Sequence, residues 1–172
     1  IDSIIIDAKS GISGAGRTTV NENLKDDIHE NFRAYATGGH RHLPEIIEVL
    51  EGIHGSSLKI NFLPHLIPAM RGIYSTIYVN FEDTQNQSIE EIYRDFYQDS
   101  LNIELMLDGQ VPEILKVAET NNCQIGIYQS AIENQIVIIS AIDNLVKGAA
   151  GQAIECYNLI TGNYQLKGIN NG

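Results

Sequence analysis

The segment Gly39-His40-Arg41-His42-Leu43-Pro44-Glu45-Ile46 carries the densest reactive chemistry in the chain. Two imidazoles flank a guanidinium, and a helix start follows at once. If the segment is extended, His40 and His42 share one face and Arg41 takes the other. Two imidazoles on one face suit proton transfer near neutral pH. They also suit a transition metal, with Glu45 or His65 as a further ligand. A pair of partly buried, hydrogen-bonded structural histidines has the same pattern, and the spacing alone leaves all three readings open.

Three other segments offer groups for a site. Ser10-Gly11-Ile12-Ser13-Gly14-Ala15-Gly16-Arg17 brings hydroxyls, glycine amides and an arginine, which could surround an anion or form a plain connection. Pro64-His65-Leu66-Ile67-Pro68 sets a histidine between prolines, which reads as a shaped turn, and Arg71-Gly72 follows as an anion contact or a surface arginine. Asp143-Asn144-Leu145-Val146-Lys147-Gly148 joins an apolar run to a small-residue stretch. A helix N-terminus with an amide and a lysine suits a polar or anionic ligand, and Asn144 serves equally as an ordinary cap. Cys123 and Cys156 read as inert thiols, since no base is evident beside either.

These segments need a scaffold. A chain of 172 residues fits one domain with a real core. Ile4–Ile6 lies in a strand from Asp2 to Asp7. Leu58–Leu63 reads as a strand, and over Gly72–Phe81 Ile73, Ser75, Ile77 and Val79 alternate with Tyr74, Thr76, Tyr78 and Asn80. Further strands are expected at Asn102–Leu107, Ile114–Glu119, Gln124–Gln129 and Gln135–Ala141, with Glu133-Asn134 as a hairpin turn. Residues Thr18–Tyr35 are polar and loop-like.

Pro44 opens a helix to Ile53, with Ile46, Ile47, Val49, Leu50 and Ile53 as its apolar stripe and Gly55 as its stop. Ser88-Ile89-Glu90-Glu91 is a capping-box pattern for a helix to Gln98. Asn144 is expected to cap a final helix to about Ile160. Its internal glycines, at a cost of about 1 kcal/mol each, point to close approach of backbone or ligand. The whole predicts an α+β domain, a mostly antiparallel mixed sheet with helices packed on one face. No strand–GxGxxG–helix fingerprint is present.

Net charge is -11, which argues against nucleic acid and anionic membranes as main partners. The apolar runs are too short to span a bilayer. No export signal is expected, and two distant cysteines fit a reducing cytoplasm. The start at Ile1 is consistent with a piece of a longer protein.

Taken together and in order, the motifs at 10–17, 39–46, 62–72 and 143–153, with Thr120-Asn121-Asn122-Cys123, closely resemble N-acetyl-gamma-glutamyl-phosphate reductase. Ala69-Met70 departs from the usual Met-first spelling. The resemblance covers that family's second domain only, shaped like the C-terminal domain of glyceraldehyde-3-phosphate and aspartate-semialdehyde dehydrogenases. It implies NADPH-dependent reduction of N-acetylglutamyl 5-phosphate to the semialdehyde in arginine biosynthesis. The Rossmann domain that binds NADP and the nucleophilic cysteine of a Gly-Cys-Tyr-Pro turn do not occur in these residues.

By resemblance His42, or else His40, is the acid/base, with His42 favoured as directly preceding the helix. Ser10, Gly11, Ser13, Arg17, Arg41, Glu45, His65 and Arg71 are substrate-binding candidates. Asn144, Lys147 and Gly148 are expected at the NADP cofactor, and the final helix is expected against the missing domain. No resident metal is expected. The expected partners are the acyl-phosphate substrate, the Rossmann domain and a second copy joined through the sheet. The alternative is a stand-alone homodimerisation module, with Ile73–Phe81 and Gln135–Ala141 as interface strands.

Overall fold

The computed structural model describes residues 1–15, 30–82 and 88–169. Seven strands form one mixed sheet: β1 (Ser3–Ser10), β2 (Arg33–Ala34), β3 (Lys59–Leu66), β4 (Ile73–Asn80), β5 (Ile103–Met106), β6 (Cys123–Gln129) and β7 (Gln135–Ile142). Their order is β2-β3-β1-β4-β7-β6-β5. Four neighbouring pairs are antiparallel, and two, β1–β3 and β5–β6, are parallel. The expected α+β class is the observed one.

Parallel neighbours need a crossover. The helix α1 (Leu43–His54) lies in the β1–β3 connection, after α1 comes α2 (Ile89–Tyr97), and α3 (Ile114–Val117) lies in the β5–β6 connection. This corrects the strand expected at Ile114–Glu119. A short apolar run fits either element, and the parallel pairing of β5 with β6 calls for a crossover there.

Alternation along each strand gives the sheet two faces. Ile4, Val79, Ile125, Ile136 and Ile138 lie buried on one, with Leu50 of α1 and Ile89, Tyr93 and Tyr97 of α2 packed against them. The apolar stripe of α1 is only partly used, since Val49 is 54% exposed and Ile53 81%. Gly55 ends α1 as expected, in the left-handed region at φ 80°. Ser88 precedes α2 without a side-chain cap bond, so the capping-box contacts do not form.

β3 runs through Pro64 to Leu66, where a turn had been expected. The Pro64 carbonyl accepts the Tyr35 N–H, so its nitrogen faces the same side, where the neighbour β2 is only two residues long. A missing donor is tolerated there. The turn comes later, at 67–72.

The final helical segment is also not as expected. Val146–Ala150 forms a π-helical turn, and only Gly151–Ile160 is α-helical, here α4. Asn144 is not the cap. The Asp143 carboxylate, one residue earlier, accepts the N–H groups of Leu145 at 2.7 Å and Val146 at 2.9 Å. Among the described residues, no helix is long and apolar enough to cross a membrane.

Candidate active site

The reactive side chains gather in two places, one beside the start of α1 and one at the end of β1 next to α3. The first is an aromatic cluster. His40 packs edge-on to Tyr35, His42 and Phe62, with ring centroids 5.6, 4.7 and 5.5 Å away. The His42 N–H donates to His40 Nδ1 at 3.2 Å, so neutral His40 carries its proton on Nε2. Burial, then the neighbouring charges of His42 and Arg41, pushes the His40 pKa below the usual imidazole value. His42, at the N-terminus of α1, is exposed, as are Arg41 and Glu45.

This predicts a titration readable by NMR. His40 titrates below an ordinary histidine, and His42→Ala moves it back toward the ordinary value. An unchanged His40 midpoint in that variant would contradict the arrangement.

The second place lies at the end of β1. The Gly11, Ile12 and Ser13 amides donate to the carbonyls of Gly72, Ala69 and Met70 at 2.8, 2.9 and 3.0 Å. Those amides are therefore engaged, and the loop is a tightly zipped 3-10 turn. A Cβ on Gly11 would lie 2.8 Å from the Arg71 backbone, which requires glycine at this crossing. Asn144 Oδ1 accepts the Gly72 N–H at 2.9 Å, and its Nδ2 donates to Ser13 Oγ at 2.9 Å.

Gly14 is exposed, and a Cβ there would sit 3.2 Å from both Asn144 Nδ2 and Ser10 Oγ. A side chain here would press on Asn144 and Ser10, so glycine lets the turn pack against them.

Arg71 adds the cation. Its Nη1 reaches Asp143 Oδ2 at 3.2 Å and Oδ1 at 3.4 Å. Asp143 is fully buried and also accepts the Glu119 N–H at 2.7 Å. Burial alone would raise the Asp143 pKa. The backbone bonds from Glu119, Leu145 and Val146, with the Arg71 charge, outweigh burial and hold it below the usual carboxylate range. Neither Asp143 nor Glu119 was a sequence candidate. The only hint was an acidic residue at the end of an apolar strand, ahead of Asn144.

The remaining candidates lie elsewhere or are otherwise engaged. Phe62 and Leu66 are four residues apart on β3, roughly 13 Å at strand spacing, which separates the His40 cluster from the β1 end. His65 points to the opposite face of the sheet from Phe62, with Nδ1 2.9 Å from Asp7 Oδ1 and its ring stacked on Phe32. Lys147 pairs with buried Glu155 at 2.7 Å. Gly148 is exposed in the π turn, flanked by exposed Ala149 and Ala150. Arg17 lies outside the described residues. Among the described residues, no three metal-ligating side chains converge.

The cysteines differ sharply. Burial pushes the Cys123 thiol up to about 11, while Cys156 is exposed. Thiol-labelling reagents at pH 8 are expected to modify Cys156 and spare Cys123 in the folded chain, with both labelled in denaturant. Fast native labelling of Cys123 would refute its burial.

The architecture is shared with solved aspartate-semialdehyde dehydrogenases. Aspartate semialdehyde dehydrogenase II from Vibrio cholerae has the same fold, at a TM-score of 0.73 and 17% identity over 95% of this chain and 56% of that one. A probable aspartate-semialdehyde dehydrogenase from Pseudomonas aeruginosa gives 0.72, also at 17% identity, over 93% and 55%.

The chain belongs to the semialdehyde dehydrogenase dimerisation-domain family, whose model matches residues 1–144. It is 43% identical to the N-acetyl-gamma-glutamyl-phosphate reductase of Alkaliphilus metalliredigens over 98% of this chain and 49% of that protein. Identity to the reductase of Clostridium botulinum is 44% over 98% and 49%. The chain thus spans about half the length of the curated relatives it matches.

Proposed function

We propose that this chain is the catalytic and dimerisation half of a cytoplasmic NADPH-dependent reductase. The reductase converts N-acetyl-L-glutamyl 5-phosphate to the semialdehyde and phosphate in arginine biosynthesis. The observation that carries the reading is 43% identity to such a reductase across 98% of the chain, on a domain that sets an exposed imidazole apart from a clustered Arg71, Ser13 and Asn144.

In this reading the parent's other half supplies the thiol nucleophile and most of the NADP site, and NADPH supplies the hydride. The present residues do the rest. His42, exposed and next to a helix start, handles the proton of the attacking thiol and of the developing hemithioacetal oxygen. His40, wedged against Tyr35 and Phe62 with Nδ1 occupied, fixes the segment that carries His42. Arg71, Ser10 and Ser13 bind the anionic substrate, joined by Arg17 and Arg41 as further contacts of the assembled enzyme. Asn144 and the small surface at Gly148 face the cofactor's edge, with Lys147 pinning the π turn beneath it.

A chimera tests this. The chain replaces the C-terminal half of the Alkaliphilus reductase, and NADPH oxidation on the acyl phosphate is measured. Activity is expected, with His42→Ala lowering kcat about 10²–10⁴-fold. The chain alone is expected to be inactive, and turnover by it alone would refute the reading.

The part of the second sheet face that the 110–118 segment leaves open supports a second copy as partner. Ile5, Tyr74, Tyr78, Val137 and Ile139 share that face by register, and Ile5 is 42% exposed. A pure assembly module would dimerise through this face yet give an inactive chimera. Sedimentation showing only monomer would count against both the module and the shared interface.

A further inference from the structure

We propose that Asp143 is a positioning residue that aims Arg71 into the adjoining cavity as its receptor for an anionic oxygen, carboxylate or phosphate. This rests on the reading above, that the domain handles an anionic acyl phosphate. The cavity, about 530 Å³, is walled by Met70, Ile114 and Leu115, with Arg71 and Glu119 as its charged lining. Arg71 against an apolar wall suits an anionic head on a short apolar chain.

The division of labour at Asp143 carries the argument. If it were only a helix cap, Oδ1 would suffice, since that atom takes the Leu145 and Val146 N–H groups. Oδ2 makes the shorter contacts to the cavity, with Oδ1 3.4 Å from Arg71 Nη1. Oδ2 receives the Glu119 N–H at 2.7 Å and the same Arg71 nitrogen at 3.2 Å, one from each charged residue of the lining.

Glu119 makes its bond from a left-handed backbone, φ 63°, unusual for a residue with a Cβ. Such local strain persists where the surroundings over-determine it, and it clusters at functional sites. Asp143 is held in place by three backbone donors, so it fixes the Arg71 guanidinium from a rigid position. The guanidinium is 34% exposed and fixed at one nitrogen, which leaves donors for a visitor.

The 172-residue chain is titrated with inorganic phosphate and, separately, with N-acetyl-L-glutamate by calorimetry, and circular dichroism confirms the fold of each variant. At least one probe is expected to bind. Tighter phosphate marks a phosphate subsite, and tighter N-acetyl-L-glutamate a carboxylate subsite with its apolar wall. Asp143→Asn and Arg71→Lys each weaken binding at least tenfold. In the Arg71→Lys background, Asp143→Asn changes affinity less than twofold, because its effect runs through Arg71.

No binding of either probe overturns the proposal. So does an Asp143→Asn penalty that persists at full size without Arg71, which would mark a structural role only. Should Asp143→Asn fail to fold, the wild-type guanidinium decides: resolved, slowly rotating Arg71 Hη signals at neutral pH are expected, and one averaged signal overturns it. An inactive chimera with this coupling intact would fail the reductase reading and not this one. An active chimera with an uncoupled Asp143 would do the reverse.

Discussion

Asp143→Asn is expected to lower the unfolding free energy by about 3 kcal/mol, the cost of leaving buried donors without an acceptor, although the side chain keeps its shape. The native carboxylate accepts four donors, from Glu119, Leu145, Val146 and Arg71. An amide offers one oxygen, and its NH2 must confront either the Glu119 N–H or the cap donors. Arg71, partly exposed, recovers water, so the loss comes mainly from the backbone groups left facing a donor.

At this chain length the loss appears as a fall in Tm of roughly 10 °C. It also has a pH signature. The Asp143 pKa is lowered in the fold, so the charge contributes stability above the unfolded carboxylate value, and that contribution is lost as pH falls through the folded value. Wild type should therefore lose stability steeply on acidification and Asp143→Asn less so. Glu155 keeps part of the slope in both. Burial alone would raise its pKa, but bonds from Lys147, Gln165 and Asn121 hold it down. Parallel acid-unfolding curves for the two proteins would contradict the assignment.

The dependence of so much on one aspartate shows where sequence reading stopped. Alternation identified β4 to within a residue because its side chains divide between the two faces of the sheet. The end of α1 was equally legible, because Gly55 occupies a left-handed conformation that other residues avoid. The pairing partners were not legible. Parallel β1–β3 and β5–β6 contacts depend on crossovers, and an apolar run such as Ile114–Val117 carries no mark that separates a crossover helix from a strand.

The site divides in the same way. The aromatic packing of His40 and the Arg71–Asn144 neighbourhood lay within motifs whose residue types announce chemistry. The side of β3 occupied by His65 depended on strand register through Pro64, which looked like a turn. Asp143 was passed over for Asn144 because both residues cap helices well, and only their depth in the fold decides. Asn144 turned inward to the Gly72 amide, which left the cap to its neighbour.

Gly151→Ala tests the last of the packing arguments, because propensity and contact predict opposite signs. Gly151 has ordinary helical angles, φ -63° and ψ -42°, so alanine alone would stabilise α4 by about 1 kcal/mol. The added Cβ, however, would meet Asn121 Oδ1, and the Val146 carbonyl oxygen would be 2.8 Å away. Neither can yield cheaply. Asn121 is fully buried with Nδ2 tied to Glu155 at 2.7 Å, and Val146 O is backbone of the π turn.

Overpacking of this kind costs about 1–3 kcal/mol and more where neighbours are fixed, so a net loss of about 2 kcal/mol is expected from denaturant unfolding. Gly148→Ala is the control three residues earlier. Its Cβ would lie 3.3 Å from the Asp143 carbonyl, a contact that a few tenths of an ångström relieves, and its effect should stay within about 0.5 kcal/mol of zero. If both variants were neutral, the close approach of α4 to Asn121 would be wrong. If both were equally damaging, the π turn as a whole, rather than the Gly151 contact, would be the tight point.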